Sequence, residues 1–471
     1  MYNSFRMSNS SKLDFETYQS PYTLRYGSQE MRSIWSEANK RRIWRQIWVA
    51  LAEVQSEFGL VRPDQVEDLR QKMLEINISR SFEIEAEIHH DLMAELKTFA
   101  EQCPIGGAIL HLGATSSDIE DNADALRLQQ SFDLLISRLG DLLSRFAEKI
   151  QTWADLPLMA FTHLQPAEPS TLGYRLACYA QDLLLDWENL HRERDRLRGK
   201  GFKGAVGTRA SFVEMVGIDR VTEFEGRLSE RLGLTFFPVT TQTYPRKQDY
   251  HILNALAGLG ASLHKFAFDL RVLQSPQIGE LAEPFGPSQV GSSAMPFKRN
   301  PINAEKMDSL SRSLAQLPRL AWDNAAFSLL ERTLDDSANR RSLLPEAFLI
   351  CDELLMVGNH ILAGLQVDHA AIRKNLETYG PFAATERLLL ALTNAGADRQ
   401  EVHERLRIHA MQAWQSIQHE QPNPLVDLVA QDESFRIYLD SSQIRALMDI
   451  GQYFGDAPRR ARELAERIIR A

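Results

Sequence analysis

The chain has 471 residues, 44% of them hydrophobic and 25% charged, with a formal net charge of −10. That length calls for roughly two to three domains, and the acidic balance argues against non-specific nucleic-acid binding, which rests on neutralising phosphates. No segment reaches the ~18 uninterrupted apolar residues of a membrane span, the start lacks an apolar signal-peptide core, and three widely spaced cysteines (Cys103, Cys178, Cys351) suit neither a disulfide framework nor a metal site.

The polar, Ser/Asn-rich stretch Met1–Lys12 is expected to be loose. Shorter helices follow to about residue 112, where Gly106, Gly107 and Gly113 close a first domain, 1–112. From Asn122 to Trp153 the apolar residues Leu126, Phe132, Leu135, Leu139, Leu142, Phe146 and Ile150 recur at steps of three and four, the stripe of an amphipathic helix. The same period runs from Leu172 to Leu197, from Gln248 to Ser275, and onward from near Asn303 and near Ser342. Each pattern covers about 20–30 residues, on the order of 30–45 Å of helix. Strand signals are few, Phe236–Val239 being the best. After Gly364 shorter helices are expected, with Pro381 and Pro422–Pro424 as breaks. The reading is therefore all-α: an N-terminal helical domain, a central long-helix bundle over 113–365, and a C-terminal helical domain over 366–471. So elongated a bundle has lateral apolar surface to cover, which points to self-association.

Three segments interrupt this pattern with polar chemistry. Residues 285–303 hold Gly286, Pro287, Gly291, Pro296 and Pro301, which a helix interior does not accommodate, and this loop carries Ser292, Ser293, Lys298 and Asn300. Thr115 and Ser116, in HLGATSSDIEDN, stand just ahead of a long helix, where hydroxyls and free N–H groups bind carboxylates. His163, in THLQPAEP, precedes two prolines and reads as part of an extended segment entering a helix.

The loop GSSAMPFKRNP resembles the signature of the fumarase/aspartase superfamily, and the other two segments match that superfamily's remaining consensus regions in order. Within it the chain is similar to the adenylosuccinate lyase family. ERTLDDSANRR at 331–341 is the most discriminating stretch, supported by SPYTLRYGS at 20–28, HHDLMAEL at 89–96 and QTYPRK at 242–247. The resemblance implies elimination of fumarate from adenylosuccinate and from succinylaminoimidazole carboxamide ribotide, an anionic nucleotide substrate, no metal or organic cofactor, and a homotetramer whose sites are shared between subunits. It assigns Ser292 as general base, His163 as general acid, Glu305 as its carboxylate partner, and Lys298 with Asn300 as holders of a succinyl carboxylate. Ser293, Arg25, Tyr26, His89, His90, Asp91, Thr115, Ser116, Gln242, Lys306, Arg332, Ser337 and Arg341 are the implied substrate contacts.

A histidine is suited to proton donation near neutral pH. A serine base needs a site that favours its alkoxide, for which a loop lysine and backbone N–H groups are suitable. His89 and Lys306 stand where relatives often carry arginine, and a lysine cannot reproduce a bidentate guanidinium contact. The rivals are a sister lyase, such as argininosuccinate lyase or fumarase, and a non-catalytic structural homologue.

Overall fold

The computed structural model describes residues 16–451 and 453–470, so the expectation for Met1–Lys12 lies outside the described residues. The elements used below are α1 (Glu37–Glu57), α2 (Ile78–Ile88), α3 (Asp91–Gln102), α4 (Ser116–Thr152), β1 (Pro157–Thr162), β2 (Gln165–Thr171) and α5 (Leu172–Arg196). They continue with α6 (Lys247–Leu273), β3 (Leu281–Ala282), α7 (Ile302–Leu314), α8 (Leu317–Ala326), α9 (Asp335–Ala363), β4 (Gln366–Val367), α10 (His369–Asn394) and α11 (Arg399–Gln418). Shorter helices fill the intervals, and the fold is all-α apart from two small two-stranded sheets.

The periodic patterns become α4, α5, α6 and α9, with α4 and α9 beginning six and seven residues ahead of the starts read at Asn122 and Ser342. The pattern near Asn303 instead gives two helices, α7 and α8, because Pro318 opens α8 and lacks the N–H needed to continue α7. Pro381, expected as a break, lies inside α10, and α10 and α11 are long helices. Phe236–Val239 forms no strand; Phe236 makes one isolated bridge to Gly199. The real strand pair is β1–β2, an antiparallel hairpin whose register runs from Pro157↔Thr171 to Thr162↔Gln165, with an irregularity between Met159 and Phe161.

Contacts divide the chain into two compact units, and the boundaries at residues 139, 185, 261, 308 and 356 all fall inside long helices. In the first unit (to 139, 186–261, 309–356), Trp44, Ile47, Trp48 and Leu51 of α1 pack against Phe99 of α3 and against Phe202, Phe212 and Phe224. Phe132 and Phe348 meet edge to face with centroids 5.4 Å apart, an arrangement aromatic quadrupoles favour. Charge is buried here too: Glu95 of α3 holds Arg45 at 2.7 Å and Arg41 at 3.3 Å, all three side chains inaccessible. Such a triad orients α1 on α3, since removing one member strands the others.

In the second unit (140–185, 262–308, from 357), Phe266 takes Phe146 and Tyr179 edge to face. A separate C-terminal core gathers Leu388, Leu392, Leu406, Val429, Phe435 and Ile444. The β3–β4 pair ties the residues ahead of the 285–303 loop to the turn after α9. No helix among the described residues is long and apolar enough to cross a membrane.

Candidate functional site

In the first unit the polar residues converge where α3, α4 and α9 begin. The α4 start is held by Asp118, whose buried carboxylate accepts from the N–H groups of Thr115 (2.9 Å), Lys203 and Gly204 and from the Lys200 ammonium. Thr115 and Ser116 are thereby fixed, and Ser116 Oγ lies 3.4 Å from His90 Nε2. His90 caps α3, its Nδ1 accepting the Met93 N–H at 3.5 Å. His89 ends α2 in the left-handed region (φ 56°), and that reversal presents His90 and Asp91 to the next helix. Its own imidazole is exposed.

Asp91, in the first turn of α3, accepts from Arg341 at 2.8 Å. Burial works against its charge, but Arg341 and Lys40 outweigh burial and hold its carboxyl below the usual carboxylate range. The stretch 331–341 explains itself once coiled. Asp336 and Arg340, four apart, turn inward; Ser337 and Arg341, also four apart, share the neighbouring face and line a cavity of about 140 Å³. Arg332, Asp91, Asp121 and Glu120 are also part of its polar wall, with Glu37 and Lys40 of α1. Arg332 holds Asp336 at 2.8 Å. Arg246 forks onto both oxygens of Asp121 at 3.1 Å and reaches Asp336, and this buried guanidinium is a strut of the wall with its partners already in the protein. Arg340 is likewise buried between Asp249 and the Tyr244 hydroxyl.

Gln242 joins two of the discriminating stretches: its N–H donates to the Glu331 carbonyl and its side chain to the Ala205 carbonyl, both at 3.1 Å. Arg25 and Tyr26 follow a short helix, Pro21–Leu24. The next two N–H groups anchor them to α9, Gly27 on Glu353 at 3.1 Å and Ser28 on Asp352 at 2.6 Å. A Cβ at Gly27 would stand 2.5 Å from Leu349 Cδ2, and its φ is 78°, so both space and backbone call for glycine there. The Arg25 side chain is exposed and has no partner among the described residues.

Glu120, one helical turn beyond Ser116, is a wall residue that no motif in the sequence singles out. Burial, then the neighbouring Asp91, Asp121 and Asp124, push its carboxyl up to about 7, against the pull of Arg341.

In the second unit the Gly/Ser loop has internal order. Ser292 Oγ accepts the N–H groups of Met295 at 3.1 Å and Ala294 at 3.4 Å. Asn300 donates its side-chain amide to the Gly291 carbonyl at 2.8 Å. A Cβ at Gly291 would lie 2.2 Å from the Lys298 carbonyl oxygen, so glycine permits this turn. Ser293 and Lys298 are exposed, and neither side chain has a partner among the described residues. Both ends of the loop meet at Gln274, whose oxygen accepts the Glu283 N–H at 3.0 Å and whose nitrogen donates to the Arg299 carbonyl at 3.1 Å. The buried Glu283 carboxylate then accepts the N–H groups of Asn303 and Ala304 at the start of α7. Burial raises its carboxyl above the usual range, partly offset by those hydrogen bonds. Gln274 and Glu283 lie outside the loop motif, and no spacing rule points to them.

Glu305, in the first turn of α7, is half exposed and 3.8 Å from Arg271, which binds Asp308 at 2.7 Å. Lys306 beside it is partly buried. His163 is at the tip of the β1–β2 hairpin, where it and Leu164 both take positive φ (53° and 60°), the backbone of a two-residue type I′ turn. β2, with Pro166 and Pro169, leads directly into α5, but His163 itself is in the turn and not in the extended segment expected for it, because the hairpin reverses the chain there. The imidazole is exposed, and among the described residues it makes no hydrogen bond or ion pair with Ser292, Lys298 or Glu305.

A sequence profile for a family described as "Lyase" matches residues 12–314, and one described as "Adenylosuccinate lyase C-terminus" matches 381–464. Adenylosuccinate lyase from Saccharomyces cerevisiae is 38% identical over 465 residues, 97% of this chain and 95% of that protein. The protein of the same name from Schistosoma mansoni is 41% identical over 429 residues, 90% and 89% of the two chains. Among solved structures, 3-carboxy-cis,cis-muconate lactonizing enzyme from Pseudomonas putida superposes with a TM-score of 0.84 at 24% identity, covering 94% of this chain and 98% of its own. A fumarate lyase from Mesorhizobium sp. BNC1 gives 0.83 at 22%, covering 96% and 99%. At such identities these two structures speak for the fold alone.

Proposed function

The chain belongs to the adenylosuccinate lyase family, and on that premise we propose that it eliminates fumarate from adenylosuccinate to leave AMP, and from succinylaminoimidazole carboxamide ribotide. The reading makes it a cytoplasmic enzyme of purine nucleotide biosynthesis. The observation that carries the chemistry is the pair of backbone N–H groups on Ser292 Oγ. Donors aimed at an oxygen favour its anionic form, which is what a serine base requires.

Ser292 takes the proton from the carbon beside a succinyl carboxylate. The electron pair left behind spreads into that carboxylate, held by Lys298 and Asn300, with Ser293 as a further donor. The C–N bond then breaks, the pair becomes the double bond of fumarate, and the departing nitrogen receives its proton from His163, oriented by Glu305. Arg332, Ser337 and Arg341 supply cationic and hydroxyl contacts for the anionic nucleotide, with Arg25, Tyr26 and Lys306 beside them. His89, His90, Asp91, Thr115, Ser116 and Gln242 complete its contacts.

His163, Lys298 and Arg25 hold no side-chain partner within the described chain, although catalytic groups of this kind work through partners. That supports a homotetramer in which segments from different subunits meet at each site, an arrangement of D2 symmetry.

Fumarate release from adenylosuccinate, with argininosuccinate and malate as controls, tests the reading. Release from adenylosuccinate alone, lost in Ser292→Ala, is expected. A folded protein that acts only on a control substrate is a sister lyase, and one that acts on none is a scaffold.

A further inference from the structure

Among the described residues, Glu120 is the carboxylate of the cavity wall that forms no ion pair. It lies four residues beyond Ser116 on α4, and so on the helical face that meets His90. It lines the cavity with Asp91, Ser337 and Arg341, yet forms no hydrogen bond or ion pair among the described residues. Its acidic neighbours are matched: Asp91 has Arg341 at 2.8 Å, Asp121 has Arg246 at 3.1 Å, and Asp124 has Arg127 and Arg340. Opposite, Lys40 of α1 is taken by Glu37 at 2.9 Å, and before α9 Arg332 is taken by Asp336. Glu120 is therefore a surplus negative charge in a pocket read above as receiving a polyanion.

We propose that Glu120 is a proton-linked specificity residue of the nucleotide pocket, which enters the complex as the neutral acid, so that binding the anionic substrate draws one proton from solution onto its carboxyl group. The inference rests on the functional reading above. An incoming phosphate or carboxylate adds negative charge to the wall that already opposes ionisation of Glu120 through burial and three carboxylates. Once neutral, the carboxyl stops repelling the ligand and becomes an O–H donor to one of its oxygens. With the free carboxyl titrating at about 7, affinity is full below that pH and falls as pH rises through it, because the proton must then be taken from a scarcer supply.

The test uses AMP as the probe, with calorimetry at pH 8 in two buffers of different ionisation enthalpy. At that pH the phosphate has finished its own titration, since its second pKa is about 6. The wild-type protein is expected to take up close to one proton per AMP bound, and Glu120→Gln none. In turnover assays KM for adenylosuccinate should rise on the order of tenfold from pH 6.5 to 8.5, and this rise should flatten in Glu120→Gln. Should that variant not fold, Glu120→Asp keeps a titrating carboxyl and must keep the uptake, and the wild-type proton count stands by itself. AMP binding without proton uptake, or the same slope of KM in wild type and Glu120→Gln, overturns the proposal while leaving the lyase reading intact. A folded protein that neither binds AMP nor releases fumarate overturns both.

Discussion

Asn300 donates its side-chain amide to the Gly291 carbonyl at 2.8 Å, which closes the segment bearing Ser292 and Lys298 into a ring. The consequence is an exposed loop with a defined interior. Within it the Ser292 hydroxyl oxygen accepts from the N–H groups of Ala294 and Met295.

Replacing Ser292 by alanine removes the proposed base and leaves those two N–H groups with solvent. The kcat for fumarate release is expected to fall on the order of 10²–10⁴-fold, the usual worth of a general base. Tm should barely move, because the side chain is not in a core. Steady-state kinetics beside a melting curve separate these effects, and a variant retaining most of its kcat would remove Ser292 from the role.

Gln274→Ala cuts both ends of the loop from their common anchor. Two neutral hydrogen bonds of about 1 kcal/mol each are lost, so kcat is expected to drop roughly tenfold while KM changes little. Loss of fold, seen as a large fall in Tm, would instead make Gln274 a stability residue.

Asp91 and Arg341 form a pair with two readouts. Arg341→Ala should raise KM for adenylosuccinate on the order of 10–100-fold, since a charge-assisted hydrogen bond is worth about 1.5–3 kcal/mol. Asp91 has its carboxyl held below the ordinary range by Arg341 and Lys40 against burial. It therefore contributes stability that is present in full above the unfolded carboxylate value and is lost as pH falls through the folded one. Thermal melts of Asp91→Asn should lie slightly below wild type at pH 7, by about 1–2 °C, and the two curves should converge toward pH 3. A gap that widens on acidification would reverse the assigned sign.

Mixing Ser292→Ala protein with His163→Ala protein, each inactive alone, should restore part of the activity once subunits exchange. Some sites would then draw an intact serine from one chain and an intact histidine from another. Activity that stays absent after exchange, verified by mass spectrometry of mixed oligomers, would place each site within one chain.

The loop motif, the Thr-Ser turn and ERTLDDSANRR are all legible in sequence because each is a contiguous run with an unusual composition. Their anchors are not. Gln274 and Glu283 lie ahead of the loop and look like ordinary polar residues until the chain returns to give them Arg299 and Asn303. The β1–β2 hairpin escaped notice because Pro157, Pro166 and Pro169 disrupt the alternation by which strands are recognised, and its turn uses His163 and Leu164 in place of the usual Asn-Gly.

Apolar spacing of three and four was enough to specify α4, α5, α6 and α9, since helical hydrogen bonds and side-chain stripes involve only near neighbours. Composition and contiguous motifs carried the family as well. Which charges meet was settled by packing: Arg246 finds Asp121 at a separation of 125 residues, and Arg341 finds Asp91 at 250. Those meetings bury Arg246 and Arg340 as struts of the cavity wall, leave Arg332 and Arg341 more accessible, and among the described residues give Glu120 no ion pair. No local rule could have sorted them, because ionic interactions depend on distance and burial, and both exist only once remote segments have been brought together.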